Sequence, residues 1–179
     1  MKKSVLKLMV TLLGMALVTL SFTSFTTKGV NNIPLNTETI EGKSVSNKLY
    51  EENDLTLVNI MATWCGPCVK EIPELNEIHN ENNGFGVIGI VYDTYNSKTG
   101  AINHKAIYDA ESIVYRTGAT YTFVLSNEEI VNATLKNRAA ILPMSFIVDK
   151  KGNIVEGPIA GAKKKSDWLN ILKKTKQNL

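Results

Sequence analysis

Both cysteines of this 179-residue chain stand in the segment Trp64-Cys65-Gly66-Pro67-Cys68. Two thiols at this spacing can exchange a disulfide with a partner, form a short structural disulfide, or supply half of a zinc site. A structural zinc site needs four ligands, and neither of the two histidines has zinc-knuckle spacing to the pair. A bridge that closes so short a loop gains little loop entropy, so a stapling role explains the pair poorly. The spacing favours thiol–disulfide exchange, with zinc and an inert disulfide as the alternatives.

Exchange chemistry needs the two thiols in unequal surroundings, which the flanking residues supply. An apolar run of strand length at 55–61 precedes the motif, and apolar residues at helical spacing follow it over 68–79. A strand, a Gly-Pro turn and a helix place Cys65 at the helix N-terminus, where free N–H groups and the helix dipole stabilise a thiolate. We therefore expect Cys65 to be exposed, to have a lowered pKa and to attack. Cys68, one turn into the helix, is expected to be shielded and to resolve the mixed disulfide.

Neighbours of the cysteines have predicted roles in shaping the site. Gly66 and Pro67 form the turn and start the helix. Proline suits the first helical position, because its missing N–H costs no hydrogen bond there. Trp64 is expected to cover the edge of the active site, with core packing as the alternative. Pro73, inside the helix, removes one backbone hydrogen bond and is expected to kink it.

The remaining periodicity predicts an α/β domain with a mixed sheet. A second apolar run at 86–92 follows the helix, so it should pair in parallel with the first strand. The further predicted elements are a hairpin over 39–45, a helix over 102–115, a strand over 121–125, a short helix over 127–136 capped by Ser126, a hairpin of 145–148 with 154–155, and a final helix capped by Ser166. In that last helix, Trp168 is expected to face the core.

The N-terminal segment predicts export. Three lysines stand within residues 1–7, and no charged residue follows until position 28. Positive charge before an apolar run is typical of a signal peptide or a membrane anchor, and the uncharged stretch is long enough for either. We divide the chain into a signal peptide or N-terminal membrane anchor at 1–28, a linker rich in turn formers at 29–36 and one domain at 37–179. The domain is expected outside the cytoplasm, in the periplasm or at the outer face of the cytoplasmic membrane, secreted or membrane-anchored.

Composition and charge limit the kinds of partner that this chain is expected to bind. With 44% apolar and 21% charged residues, the composition is that of a soluble globular protein. Four of the 20 basic residues precede Gly29, which leaves 16 against 17 acidic residues in the remainder. A near-neutral domain gives no electrostatic reason to expect nucleic acid as a partner.

Three segments carry a family resemblance: 59–68 (NIMATWCGPC), 70–73 (KEIP) and 142–152 (LPMSFIVDKKG). Over roughly residues 33–175 the chain resembles the exported TlpA/ResA-type thiol–disulfide oxidoreductases. The resemblance implies the thioredoxin fold, a mixed central β-sheet flanked by helices, with an N-terminal β-hairpin extension. It also implies that Pro143 is the family's cis-proline, which lies beside the cysteines and binds the substrate backbone together with Leu142. An ordinary trans turn proline is the alternative.

Glu71 is a further candidate catalytic residue. Thioredoxins proper carry a buried aspartate six residues before the first cysteine, where this chain has Asn59. Proteins of the ResA type instead have a glutamate three residues after the second cysteine, which is the position of Glu71. Residues at this spacing share a helix face, so the carboxylate can take the proton of Cys68 and modulate both thiols. The alternative is a solvated helix glutamate such as Glu77.

The combined expectation is an exported thiol–disulfide oxidoreductase that reduces protein disulfides, because the Gly-Pro dipeptide resembles that of reducing thioredoxins. No cofactor and no metal are implied. The expected partners are disulfide-containing exported proteins and a membrane thiol protein that donates electrons. One alternative is a peroxiredoxin-like thiol peroxidase, although Ala62 and Val58 replace the Thr/Ser and Pro of that signature. The other is a non-enzymatic thioredoxin-fold binding module in which the cysteines form only a short disulfide.

Overall fold

The computed structural model describes residues 32–81, 83–135 and 141–179. The strands there are β1 Thr37–Glu38, β2 Ser44–Val45, β3 Leu55–Met61, β4 Phe85–Val91, β5 Thr122–Leu125, β6 Met144–Val148 and β7 Ile154–Ala160. The α-helices are α1 Gly66–Asn80, α2 His104–Thr117, α3 Glu128–Thr134 and α4 Lys165–Gln177, and the 3₁₀ helices are Asn47–Glu52 and Tyr92–Thr94. The predicted signal segment 1–28 lies outside these residues. Among the residues described, none of the helices combines the length and apolarity needed to cross a membrane.

A five-stranded sheet in the order β5-β4-β3-β6-β7 forms the centre of the domain. The sheet is mixed, since β3 pairs in parallel with β4 and antiparallel with β6. Every residue of β3 and β4 is buried, which accounts for their continuous apolar runs, because strands covered on both faces need not alternate. β1 and β2 form the separate N-terminal hairpin. The predicted α/β architecture is confirmed.

The helix that begins at the cysteine motif, α1, packs against β4 and α4. Its apolar residues at the predicted helical spacing share one core cluster with Trp168 and Leu172 of α4. Polar contacts also join the two helices, because Lys165 donates its backbone N–H to Glu74 at 2.8 Å and its ammonium group lies 2.9 Å from the Glu77 carboxylate. The C-terminal helix is thereby fixed alongside the helix that carries the cysteines.

Two predicted helix caps are wrong by one or two positions. Asn127, not Ser126, caps α3, and its side chain accepts a first-turn backbone N–H at 2.9 Å. Ser126, the residue directly after β5, is buried and donates its N–H to Thr94 at 2.9 Å, so it does not cap the helix. Lys164 is the N-cap residue of α4, and Ser166 lies inside the first turn.

The strand β7 extends to Ala160, well past the predicted end at 155. Gly157 and Pro158 fall inside it, joined by a cis peptide bond, and these residue types ordinarily predict the end of a strand. β7 lies at the edge of the sheet, where proline is tolerated because no neighbour needs its N–H.

The segment 32–36, predicted as part of a linker, packs onto the domain instead. Ile33 and Leu35 are fully buried, and Ile33 donates its N–H to Gly152 at 3.0 Å. The turn-forming residues around them suggested a linker, but alternate apolar side chains on an extended segment can still enter the core.

Candidate active site

The strand β3 delivers the chain to the cysteines, and α1 begins directly after the first of them. Cys65 is the N-cap residue of α1, and Gly66 and Pro67 are the first two helical residues. The sulfurs of Cys65 and Cys68 form a disulfide, with an S–S distance of 2.03 Å, and Cys65 Sγ also accepts the backbone N–H of Cys68 at 3.3 Å. Pro67 is thus the second rather than the first helical residue, where its missing N–H still costs nothing. The predicted strand–turn–helix arrangement is confirmed.

The two cysteines differ less in exposure than the sequence predicted. Cys65 is 5% exposed and Cys68 1%, and both belong to the core cluster. The expectation of an exposed Cys65 is wrong for the disulfide form, because its sulfur is bonded to a residue one turn into the helix. Trp64, in contrast, is 69% exposed, which excludes core packing for its side chain. The solvent-exposed surface beside the two cysteines is therefore formed by the indole of Trp64.

Strand β6 starts next to the end of β3, and Leu142 and Pro143 precede it. Met144 pairs with Ile60 across the β3–β6 ladder, so Pro143 lies level with the end of β3, from which the chain runs to the cysteines. The Leu142–Pro143 peptide bond is cis, as the resemblance implies. The Pro143 carbonyl accepts the N–H of Gly161 at 2.8 Å, and Leu142 remains partly exposed. The alternative of an ordinary trans proline is excluded.

Glu71 is buried, with 2% of its surface exposed. Its Oε1 accepts two hydrogen bonds, from the backbone N–H of Lys163 at 2.7 Å and from the indole N–H of Trp168 at 2.8 Å. Its Oε2 accepts a third, from the Asn59 amide at 3.1 Å. These contacts exclude the alternative of a solvated helix glutamate.

Burial raises the pKa of Glu71 above its ordinary value, because the charged form loses its hydration. The hydrogen bonds from Lys163, Trp168 and Asn59, and the positive charge of Lys163, lower it in part, and the net shift is upward. A buried carboxylate three residues along a helix from Cys68, with a pKa moved towards neutrality, is suited to exchange a proton.

Asn59 connects Glu71 to β6, a role that the sequence did not suggest. Asn59 and Ser145 are register partners across the β3–β6 ladder. The Asn59 amide donates to Ser145 Oγ at 3.0 Å and to Glu71 Oε2 at 3.1 Å, which uses both of its hydrogens. The available signal was a polar residue inside the continuous apolar run of β3, because a buried polar side chain needs partners.

Asp93 fixes the loop between β3 and Cys65, and sequence reasoning missed it as well. Its carboxylate accepts the backbone N–H of Thr63 at 3.1 Å and the Thr63 hydroxyl at 2.6 Å. Asp93 lies in the 3₁₀ helix Tyr92–Thr94, directly after β4. Because β3 and β4 are parallel neighbours, their carboxyl ends meet at the edge of the sheet where the cysteines lie. A polar residue directly after a buried parallel strand was the available signal.

Comparison with known proteins identifies the family. The sequence model of the Redoxin family matches residues 21–172. Thiol:disulfide interchange protein DsbE of Haemophilus influenzae is 31% identical over 137 residues, which cover 76% of this chain and 67% of that protein. Thiol-disulfide oxidoreductase ResA of Bacillus thuringiensis is 30% identical over 136 residues, which cover 75% of this chain and 70% of that protein.

A comparison of folds agrees with the comparison of sequences. A thiol:disulfide interchange protein of the thioredoxin family from Chlorobium tepidum superposes with a TM-score of 0.63 at 24% identity, covering 80% of this chain and 96% of that structure. This likeness confirms the thioredoxin fold. Since the sequence relatives are thiol–disulfide oxidoreductases, the alternatives of a thiol peroxidase and of a non-enzymatic binding module are set aside. The chain belongs to the Redoxin family and is a thiol–disulfide oxidoreductase of the DsbE and ResA type, with Cys65 and Cys68 as its redox-active pair.

Proposed function

We propose that this oxidoreductase is exported and reduces disulfide bonds in other exported proteins. The observation that carries the proposal is the Cys65–Cys68 disulfide at the N-terminus of α1, with the buried Glu71 carboxylate one turn further along. The cysteine pair stores two electrons when it is reduced, and the carboxylate can hold the proton that must move during exchange. The cysteine pair is what disulfide reduction by thiols requires, and the carboxylate assists its proton transfer.

Reduction of a substrate takes two exchange steps. The Cys65 thiolate attacks one sulfur of the substrate disulfide, forms an S–S bond to it and expels the other substrate sulfur as a thiolate. The Cys68 thiolate then attacks Cys65 Sγ, which closes the internal disulfide and releases the second substrate sulfur. The two electrons come from the cysteine pair, and the two expelled thiolates are protonated. A membrane thiol protein would return two electrons to the Cys65–Cys68 disulfide and so complete the cycle.

Glu71 serves in the second step as the acceptor of the Cys68 proton. The helix N-terminus favours a thiolate at Cys65, while Cys68 lies deeper and needs a base of its own. The proton leaves Cys68 for the Glu71 carboxylate, and from there it passes to the solvent or to a released thiolate. The upward shift of the Glu71 pKa brings the acceptor closer to the pKa of a thiol and makes the transfer less unfavourable.

Substrate binding is assigned to Trp64, Leu142 and Pro143. The exposed indole of Trp64 provides a rigid apolar surface beside Cys65, of the kind enriched where proteins bind each other. Leu142 is partly exposed directly before β6, next to the end of β3. An extended substrate segment laid along this position would bring its disulfide to Cys65.

Export and the direction of electron flow rest on the sequence. The lysines and the apolar run within residues 1–28 support export, whether the segment is cleaved or kept as a membrane tether. The Gly66-Pro67 dipeptide supports reduction over oxidation. Labelling intact cells with a membrane-impermeant thiol reagent tests both: the protein should be modified in the unbroken cell and should be found mainly in the dithiol form. A protein that is reached only after lysis, or that is mainly disulfide-bonded, contradicts the proposal.

Trapping the mixed disulfide tests the exchange role. A Cys68→Ser variant cannot resolve the intermediate, so in its native cell it should accumulate covalent adducts through Cys65 that a reductant releases. The matched control is Cys65→Ser, which retains one thiol but should form few adducts. Mass spectrometry of the adducts would identify the substrates. Equal adduct patterns for the two variants would refute the assigned roles.

A further inference from the structure

Trp168 in α4 makes a polar contact that packing alone does not require. It is fully buried in the core cluster that also holds Cys65 and Cys68. A phenylalanine or leucine would fill such a position with no polar atom, whereas a buried indole N–H needs an acceptor. Here the acceptor is Glu71 Oε1, 2.8 Å from the indole nitrogen.

The carboxylate of Glu71 is held by donors from three different parts of the chain. Asn59 comes from β3, Lys163 donates its backbone N–H from the segment before α4, and Trp168 comes from α4 itself. The Lys163 ammonium donates to the carbonyls of Ala160 and Gly161 at 3.0 and 3.1 Å and lies 5.3 Å from the centroid of the Trp168 ring. The Lys163 ammonium therefore holds the segment 160–163, whose backbone N–H at Lys163 donates to Glu71. It also lies over the indole of Trp168, which is the second donor.

We propose that Trp168 and the backbone N–H of Lys163 form a clamp from the C-terminal segment that orients the Glu71 carboxylate and favours its charged form. The inference rests on the proposed role of Glu71 and adds two positioning groups to it. Both clamp donors reach the same oxygen, Oε1, so together they fix the rotation of the carboxylate about its last bond. Oε2 already accepts the Asn59 amide, and its remaining lone pair is then presented in one direction only.

The other ionisable groups around Glu71 come from α1, from the segment before α4, from α4 itself and from the residue before β5. Its charge interacts with Lys163 and with the buried Tyr121 hydroxyl, which lies directly before β5. A groove of about 330 Å³ beside Glu71 is lined by charged residues of both signs, namely Lys70, Glu74, Lys163, Lys164 and Asp167. In the reduced protein a thiolate at Cys68 would oppose the Glu71 charge. The two clamp donors act against this repulsion and against burial.

The indole resonance of Trp168 tests the clamp without any substrate. The chain has two tryptophans, so the nitrogen–proton NMR spectrum contains two indole signals, and a Trp64→Phe variant assigns them. The Trp168 signal should move with pH as Glu71 titrates. It should lose that titration in Glu71→Gln and keep it in the matched control Glu77→Gln, whose carboxylate is exposed. A Trp168 signal that does not titrate, or that titrates equally in Glu71→Gln, overturns the inference.

The effect on exchange is tested with Trp168→Phe, which removes the donor and keeps an aromatic ring. Loss of one hydrogen bond to a charged group should raise the pKa of Glu71 by about one unit and move the acid limb of the resolving step to higher pH by the same amount. In the double variant with Glu71→Gln, Trp168→Phe should add no shift. If the wild type resolves mixed disulfides and Trp168→Phe has the same profile, the clamp is wrong and the proposed function stands. If the wild type does not exchange at all, the proposed function fails, and the NMR titration still decides the clamp.

Discussion

Replacing Glu71 by glutamine should remove a pH dependence of folding stability that the buried carboxylate imposes. The pKa of Glu71 is raised in the folded protein and has its ordinary value in the unfolded chain. Between these two values the native state holds a proton that the unfolded chain has released, so stability falls as the pH rises. The stabilisation is fully present below the ordinary glutamate pKa and is lost as the pH passes through the raised value. One proton corresponds to a slope of at most about 1.4 kcal/mol per pH unit.

Glutamine has the same shape as a protonated glutamate and does not titrate. One of its amide hydrogens faces a donor from Asn59, Lys163 or Trp168, so the variant carries a pH-independent offset of roughly 1–3 kcal/mol. The informative quantity is therefore the change with pH of the difference between wild type and variant. The lowered pKa of His79, which makes stability rise with pH, is common to both proteins and cancels.

Urea unfolding of the disulfide form, from about pH 4 to about pH 8, measures this difference. Wild type should lose stability relative to Glu71→Gln as the pH rises, while the control Glu77→Gln should run parallel to wild type, because its carboxylate is exposed. Parallel curves for wild type and Glu71→Gln would refute the reasoning that burial dominates the environment of Glu71.

Three further substitutions test the scaffold around the cysteines. Asp93→Ala removes the acceptor of both Thr63 donors and should lower the free energy of unfolding, measured in urea, by roughly 1–2 kcal/mol. The control Asp109→Ala breaks an exposed ion pair and should lower it by less than about 0.5 kcal/mol. Equal effects of the two substitutions would contradict the contact between Asp93 and Thr63. Gly89→Ala would place a Cβ 2.6 Å from an aromatic ring on β5 and should destabilise by about 1–3 kcal/mol in the same assay, so an unchanged midpoint would count against the packing described. Trp64→Ala should change stability by less than about 0.5 kcal/mol but raise KM for a protein disulfide substrate, and an unaltered KM would remove Trp64 from the binding surface.

The elements near the cysteines could be predicted because their signals are local. The predicted strand at 55–61 has the same first and last residues as β3. The helix after the motif differs from its predicted bounds by two residues at its start and one at its end. A continuous apolar run bounded by polar residues, and apolar positions at helical spacing, depend only on neighbours in the chain.

The cap of α3 was misplaced because two polar residues stand next to each other at its start. Ser126 and Asn127 are both good caps, and only the position at which β5 ends decides which of them reaches a first-turn N–H. The predicted end of β7 came too early for a related reason. A proline such as Pro158 ends a central strand but is tolerated in an edge strand, and edge position is a property of the whole sheet. The N-cap residue of α4, Lys164, lies two positions before Ser166 and makes no side-chain capping hydrogen bond, so its residue type gave no signal of the helix start.

The surroundings of Glu71 could not be predicted at all. The resemblance selected the residue, but its donors Lys163 and Trp168 are 92 and 97 positions away in the chain. No periodicity connects residues at such separations, and Trp168 was expected only to face the core. Burial of the carboxylate, which sets its chemistry, followed from the packing of α4 on α1.

The central claim is that the two cysteines have different roles, and alkylation of the reduced protein against pH tests it most directly. Mass spectrometry can follow each cysteine separately in one sample. Cys65 should react first, with a midpoint below the value of about 8.5 of an ordinary thiol, and Cys68 should react far more slowly at the same pH. Two cysteines alkylated at equal rates, both with the midpoint of an ordinary thiol, would contradict the account.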